Sequence, residues 1–468
     1  MFFHSISSLF LFLPFIFITY PLVKKINIYY SNLFLLLFSL FFYEFDIPLF
    51  LIPLLISGIS DYLISKKLIN INNQENGGKQ ILLFMSILIN ITLLIIFKYS
   101  IILSKGFDFF GINYLSNSFQ SIILPAGISF YTFQTLSFSI DSFKGRIKKM
   151  PSLIDYLLYV CYFPQLVAGP ILRPQEFFNK HAIPFLNKKN SNFKKGFSRI
   201  CFGLFLKLCI ADELSIFNDV AYESNFYNLG FLDSWTMAFG FGLQIYFDFS
   251  AYSHMAIGIS NIIGLQIKEN FIFPYSSNSV SEFWKRWHIS LSLWVSDYLY
   301  KFLNRNITKF FLGIMPLLIT WTIMGIWHGA SLRFAFWGLL NGLLIVIYRL
   351  FKKINLPLIK IKYFSCLFTL FPIMSTWIYF RSTSWEQANY LFNTLFNVNK
   401  IGLGLRENYY LIVFLLTIST LILGSIWDSK NIISLRKNEI LNIISTALAL
   451  GFSIIFINRQ TSFIYFQF

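Results

Sequence analysis

The sequence predicts an all-α, polytopic membrane protein with about 11–13 transmembrane helices, and with re-entrant and interfacial segments around a central tunnel. Three observations carry this. The 468 residues are 56% hydrophobic and only 13% charged, with 58 phenylalanines, a balance outside the range of soluble domains. Runs such as Ile81 to Phe97, Tyr363 to Phe380, Tyr409 to Trp427 and Ile440 to Ile457 lack any charged side chain and approach the roughly 20 residues a spanning helix needs. The basic residues fall in short loops between such runs, as cytoplasmic flanks do.

Taken in order, the apolar stretch from Met1 to Tyr20 lacks a basic leading region and precedes Lys24 and Lys25, so it reads as a retained first helix that starts outside. Spans near 3–22, 29–43, 47–64 and 80–97 then place Lys24, Lys25, Lys66 and Lys67 inside, with Glu44 and Asp46 outside. A fifth span near 121–140 returns the chain to Lys144, Arg146, Lys148 and Lys149. The next basic cluster is Lys188, Lys189, Lys194, Lys195 and Arg199, and only one apolar stretch, Ile154 to Leu172, separates the two. That stretch contains Pro164, Gly169 and Pro170, and a complete crossing would put one basic cluster on the wrong side. It therefore reads as re-entrant, which is permitted at membrane depth only where the broken backbone is buried in protein or lines a wet cavity.

A span near 197–211 leads to the acidic Asp212, Glu213, Asp219, Glu223 and Asp233, and a long span near 235–264 leads back. Lys285, Arg286, Lys301, Arg305 and Lys309 mark a cytoplasmic-side segment read as a helix over Glu282 to Tyr298 lying at the interface. Spans near 310–328, 334–348, 363–380, 409–427 and 440–457 complete about twelve crossings.

Two histidines stand out because a group that titrates near neutral pH is costly in hydrocarbon. His288 lies in Phe283-Trp-Lys-Arg-Trp-His-Ile-Ser-Leu-Ser292, where helical spacing gives Trp284, Trp287, His288, Leu291, Trp294 and Tyr298 a common face. That face also suits a headgroup-level aromatic belt. His328 lies in Met324-Gly-Ile-Trp-His-Gly-Ala-Ser331, where Gly325 and Gly329 bracket Trp327 and His328 and permit close backbone approach. A histidine bonded to a neighbouring helix for packing alone is the plainer alternative. The charge count assigns His288 to the cytoplasmic half and His328 to mid-membrane or the outer half. Gln134, Gln165 and Asp248 are further intramembrane polar residues, and Asp248 requires a partner the sequence does not name. Arg173 serves either as an anchor for the re-entrant tip or as a site for an anionic group.

Other classes are excluded. The net charge of +17 is dispersed among loops and offers no contiguous face for nucleic acid. Cys161, Cys201, Cys209 and Cys366 form no C-x-x-C pair, so neither a disulfide framework nor a metal site is expected. There is no nucleophile elbow, P-loop, zinc helix or dinucleotide fingerprint.

Six segments occur in order: Leu124-Pro-Ala-Gly-Ile-Ser-Phe-Tyr-Thr-Phe-Gln134, Tyr162-Phe-Pro-Gln-Leu-Val-Ala-Gly-Pro-Ile171, Phe247-Asp-Phe-Ser-Ala-Tyr252, Glu269-Asn-Phe271, Phe283 to Ser292, and Met324 to Ser331. Together they resemble the membrane-bound O-acyltransferase (MBOAT) family, in its bacterial branch with the alginate and peptidoglycan O-acetylation proteins; the teichoic acid D-alanylating branch is close. The resemblance implies one membrane domain over 1–468, with a motif-bearing core at about 120–345 between N-terminal helices to 119 and C-terminal helices from 346. It implies an enzyme that passes an acyl group from a cytoplasmic thioester, acetyl-CoA or another, across the bacterial inner membrane to a polysaccharide hydroxyl, with an extracytoplasmic acetyltransferase partner and no bound cofactor. The family's tunnel histidine falls on His328 and that of its cytoplasmic-side helix on His288. Trp327, Trp287, Asp248, Gln134, Gln165 and Arg173 are expected to line the substrate path.

The chain departs from the family pattern at Ser296, Asn341 and His254, where arginine, histidine and aspartate are common, and after Tyr300, where Lys301-Phe-Leu-Asn-Arg305 replaces a glycine-rich run. These departures bear on donor-side or partner contacts. In the expected mechanism neutral His328 takes the acceptor proton while His288 positions or polarises the donor, and Trp327 or amides near Gly329 meet the oxyanion. D-alanyl transfer, a lipid-linked sugar transporter using the histidines as a proton relay, and a structural scaffold are the alternatives; the inverted repeats of a transporter are not apparent.

Overall fold

A computed structural model describes residues 3–45, 47–71, 76–179, 181, 183–184, 186, 191–306, 313–354, 362–428, 439–459, 461 and 463–464. Asp46, Lys188, Lys189 and Lys309, used in counting crossings, lie outside the described residues. Among those described the regular elements are all helices, apart from an isolated bridge between Phe178 and Pro184. It divides into two compact units, one of 1–200 with 254–268 and the other of 201–253 with 269–468.

The first unit contains α1 (Leu13–Ile26), α2 (Ile28–Glu44), α3 (Leu51–Asn70), α4 (Asn76–Lys98), α5 (Ser100–Phe109), α6 (Asn113–Gln120), α7 (Ile128–Phe143), α8 (Leu153–Cys161), α9 (Phe163–Leu166), α10 (Pro174–Phe177) and, up to Ile200, α11 (Phe193–Phe205). Gly127 opens α7 at φ +76°, and a Cβ there would sit 2.2 Å from the Leu166 carbonyl oxygen, so glycine alone fits. Ser152 caps α8 by accepting from the Asp155 N–H. The helix stops at Tyr162, and Pro164 starts the single turn of α9. The expected break between 154 and 172 is thus real, and Tyr156 and the residues from Leu158 to Leu172 are buried in protein. A polar core joins α3, α4 and α7: Asp61 accepts from Ser86 Oγ at 2.5 Å and Asn90 Nδ2 at 2.6 Å, while Ser57 and Thr135 donate to Asn90 Oδ1. Such bonds replace the hydrophobic driving force that lipid cannot supply between helices.

The second unit contains α12 (Asp212–Glu223), α14 (Val280–Arg286), α15 (Ile289–Trp294), α16 (Lys301–Asn306), α17 (Ile314–His328), α18 (Leu332–Lys353), α19 (Lys362–Arg381), α20 (Trp385–Thr394), α21 (Glu407–Asp428) and α22 (Glu439–Phe456). The long α13 (Phe231–Ile263) belongs to it up to Ser253. Wide π-turns at Leu206–Ala211 and Val295–Tyr300 interrupt the regular helices.

Every span expected from hydropathy overlaps a helix within the described residues. Among the described residues six helical stretches are long and apolar enough to cross a membrane, and α2 and α17 are shorter apolar helices. Ile440, Ile443, Leu448 and Ile455 of α22 and Phe414, Leu415 and Ile422 of α21 stay exposed, the outward apolar surface that lipid covers. The protein is a multi-pass membrane protein.

Candidate functional site

The single helix expected over Glu282 to Tyr298 is a correction. It breaks at Trp287 and His288, because His288 takes the left-handed backbone conformation at φ +41° and starts α15. At the start of α14 Ser279 Oγ accepts from the Glu282 N–H and Glu282 Oε2 accepts from the Asn278 N–H, and Ser292 Oγ spans the break by donating to the Trp284 carbonyl at 2.9 Å. The break turns the segment inward: Trp287 is 3% and His288 1% exposed, which rules out a headgroup belt. His288 is packed edge-on to Phe249 of α13, with ring centres 4.5 Å apart, and lies 6.3 Å from Phe271. Burial pushes its pKa down, favouring the neutral ring.

His328 ends α17, and it is placed by a close approach of α17 and α18. A Cβ on Gly325 would fall 2.1 Å from the Phe334 carbonyl oxygen, and one on Gly338 of α18 would fall 2.2 Å from the Trp321 carbonyl oxygen. Ser331 caps α18 after a short turn. The imidazole is surrounded by Trp327 at 4.8 Å, Trp337 at 5.2 Å and Phe380 at 5.2 Å, all between ring centres. Gly325→Val is expected to destabilise the fold by about 3 kcal/mol through backbone displacement, read as a lower unfolding midpoint in detergent.

The two histidines are the ends of one aromatic wall. From His288 it runs through Phe271 to Trp287 (5.3 Å), Trp377 (5.3 Å), Trp337 (5.4 Å) and His328 (5.2 Å). Trp284, Trp337 and Trp377 bury indole N–H groups that meet no hydrogen-bond acceptor among the described residues. An orphaned buried donor is costly unless something else uses it. The sequence alone assigns no site role to Trp337, Trp377, Phe380 or Asn270, although Asn270 stands in the Glu269-Asn-Phe271 motif. Trp337 carried a signal, since it stands one turn from Asn341, whose Nδ2 donates to the Trp337 carbonyl at 2.9 Å.

Asp248 finds its partner in Lys207, 2.9 Å away, which also meets Asp212 at 2.7 Å; all three side chains are at most 3% exposed. Ile464 N–H donates to Asp248 Oδ2 and Thr461 to Asp212. Asp248 is therefore part of a buried ion cluster that fixes α13, and it supports the wall through its neighbour Phe249. In the first unit, Gln165 Nε2 donates to the Tyr159 carbonyl at 2.8 Å, and Gln134 Nε2 approaches the same oxygen at 3.5 Å. Both amide oxygens are buried without a partner among the described residues. Arg173 pairs with Glu176 at 3.1 Å, beside Lys268, the geometry of an anchor. No group of three or more metal-ligating side chains occurs among the described residues.

The profile of the MBOAT, membrane-bound O-acyltransferase family, matches residues 27–383. The chain belongs to this family. It is 30% identical to the peptidoglycan O-acetyltransferase of Helicobacter pylori, over 100% of this chain and 97% of the relative. It is 34% identical to the probable alginate O-acetylase of Pseudomonas aeruginosa, over 85% and 75% of the two chains. With the teichoic acid D-alanyltransferase of Bacillus subtilis it shares 26% identity over 50% and 62%. The MBOAT chain is accordingly an O-acyltransferase, and the resemblance carried by the six motifs holds.

Proposed function

We propose that this protein passes an acetyl group from a cytoplasmic thioester, acetyl-CoA or a thioester like it, to hydroxyl groups of an extracytoplasmic envelope polysaccharide. The seating of His328 at the end of a buried aromatic wall carries the reading: an imidazole in an apolar surround is a base for a hydroxyl, and it excludes water that would hydrolyse the acyl group. Acyl transfer forms a bond between the acceptor oxygen and the acyl carbon, breaks the bond from that carbon to sulfur, and moves the hydroxyl proton through His328 toward the departing thiolate. The indole N–H of Trp337, whose ring stands perpendicular to that of His328, is the donor for the oxyanion that develops between these steps.

His288 serves the donor side, and Trp287 and Trp327 line the path with it. Gln134 and Gln165 offer acceptor oxygens to N–H or O–H groups of a substrate. An inner-membrane location and an extracytoplasmic acetyltransferase partner complete the reading, supported by the envelope polymers in the names of the relatives. Membrane vesicles given labelled acetyl-CoA on the cytoplasmic face test it. Label is expected on polysaccharide, and its absence from vesicles lacking the protein. Transfer from a D-alanyl thioester but not from acetyl-CoA would replace the acyl group, and proton-coupled sugar uptake without transfer would replace the reaction class.

A further inference from the structure

We propose that Asn270 is a positioning residue that holds His288 in its Nδ1–H tautomer, so that His288 presents Nε2 to substrate as a hydrogen-bond acceptor. The identity of that substrate rests on the acyl-transfer reading; the tautomer does not.

Asn270 is 1% exposed and sits between α13 and α14. Its Oδ1 receives the Ser290 N–H at 3.1 Å and the Ser290 hydroxyl at 2.8 Å, and it lies 3.3 Å from His288 Nδ1. Its Nδ2 donates to Ser253 Oγ at 3.1 Å. A backbone N–H can only donate, so the amide atom facing Ser290 is the oxygen, and the orientation of the Asn270 amide follows from the bonding. The single Ser290 hydroxyl proton is directed to Asn270. Ser290 Oγ, 3.5 Å from Nδ1, therefore shows the histidine a lone pair. Nδ1 thus faces two acceptors, and a proton on it satisfies both. A neutral imidazole carries one proton, which leaves the lone pair on Nε2.

The backbone ties the same segments together. The Ile289 N–H donates to the Asn270 carbonyl at 2.9 Å, so both amides that follow His288 are bound to Asn270. These bonds retain the left-handed turn at His288, a conformation that costs about 1–2 kcal/mol for a side chain of this kind. Phe249 of α13, Phe271, the Asn270 amide and the Ser290 hydroxyl, which the ring meets, are neutral. Asp248, one residue before Phe249, is committed to Lys207 and the Ile464 N–H.

The consequence revises the sequence expectation that His288 polarises the donor. A ring with its lone pair on Nε2 cannot donate to a thioester carbonyl. It accepts from a hydroxyl or from an amide N–H of the kind a thioester-bearing arm carries, and so orients that group or takes its proton.

The full-length protein in nanodiscs, labelled with 15N-histidine, reads this directly. The chain has five histidines, and the spectrum of H288Q assigns the His288 signals by difference. A protonated, pyrrole-type Nδ1 with a pyridine-type Nε2 is expected for His288. N270D keeps the acceptor and adds a charge. It should raise the His288 pKa by about 1–3 units and carry the acid limb of the transfer rate to higher pH. N270L should mix the tautomers and lower transfer about 10- to 100-fold. A pyridine-type Nδ1 in the unaltered protein overturns the proposal, as does an acid limb that stays in place in N270D. Should vesicles fail to transfer acetyl while the spectrum shows Nδ1–H, the acetyl reading falls and the tautomer assignment stands.

Discussion

His328→Ala lowers acyl transfer about 10²- to 10⁴-fold while the protein still inserts and accumulates. The side chain ends α17, and the glycine contacts that hold α17 to α18 involve backbone atoms of Gly325, Phe334, Gly338 and Trp321, none of which the substitution touches. Removing the imidazole leaves Trp337 and Phe380 packed on each other at 5.0 Å, so the wall persists without its base. The measurement is label transferred from acetyl donor to polysaccharide, normalised to protein in the membrane. Transfer that survives in the variant removes the base assignment. His328→Gln, which keeps polar bulk but not basicity, should behave like His328→Ala; recovery in that variant would mean that His328 acts by hydrogen bonding alone.

Lys207→Met destabilises the protein by about 3–5 kcal/mol, because it leaves Asp212 and Asp248 buried without a counter-charge. Both carboxylates lie within 2.9 Å of the ammonium and have almost no access to solvent. The Ile464 N–H and the Thr461 hydroxyl stabilise the carboxylates but do not neutralise them. The expected readout is a large fall in the unfolding midpoint of the detergent-solubilised protein. Adding Asp248→Asn to Lys207→Met should recover part of it, since one buried charge is then removed. Equal midpoints for the single variant and the unaltered protein would show that the cluster is solvated. Transfer should fall with stability, because Asp248 fixes the part of α13 that presents Phe249 to His288.

Hydropathy and charge in the sequence sufficed for the long apolar helices. The runs around residues 3–22, 29–43 and 440–457 are long and apolar, and backbone polar groups in lipid have no alternative to the helix. The break between Ile154 and Leu172 was also legible, because Pro164 and Gly169 weaken a continuous helix and the flanking basic clusters forbid a simple crossing. The short helices Ser100–Phe109, Asn113–Gln120 and Trp385–Thr394 were not seen, since they are too brief to register in a spanning count. The kink at His288 was invisible for a different reason. Its heptad-like spacing of Trp284, Trp287, Leu291 and Trp294 supports a continuous helix, and the bonds that break it come from Asn270, eighteen residues earlier.

The sequence by itself determined that this is a helical membrane protein and that His288 and His328 are the chemically unusual residues, because burial of polar groups in hydrocarbon leaves so few alternatives. Its ordered motifs also placed it in the O-acyltransferase family. Only the tertiary structure decided that the histidines share one aromatic wall, that Lys207 answers Asp248, and that Asn270 grips His288. These contacts join residues 18 to 90 positions apart, from His288 and Asn270 to the wall between Trp287 and Trp377. Such contacts depend on where whole helices come to rest, which is set by packing at glycines such as Gly325 and Gly338 and not by any local pattern.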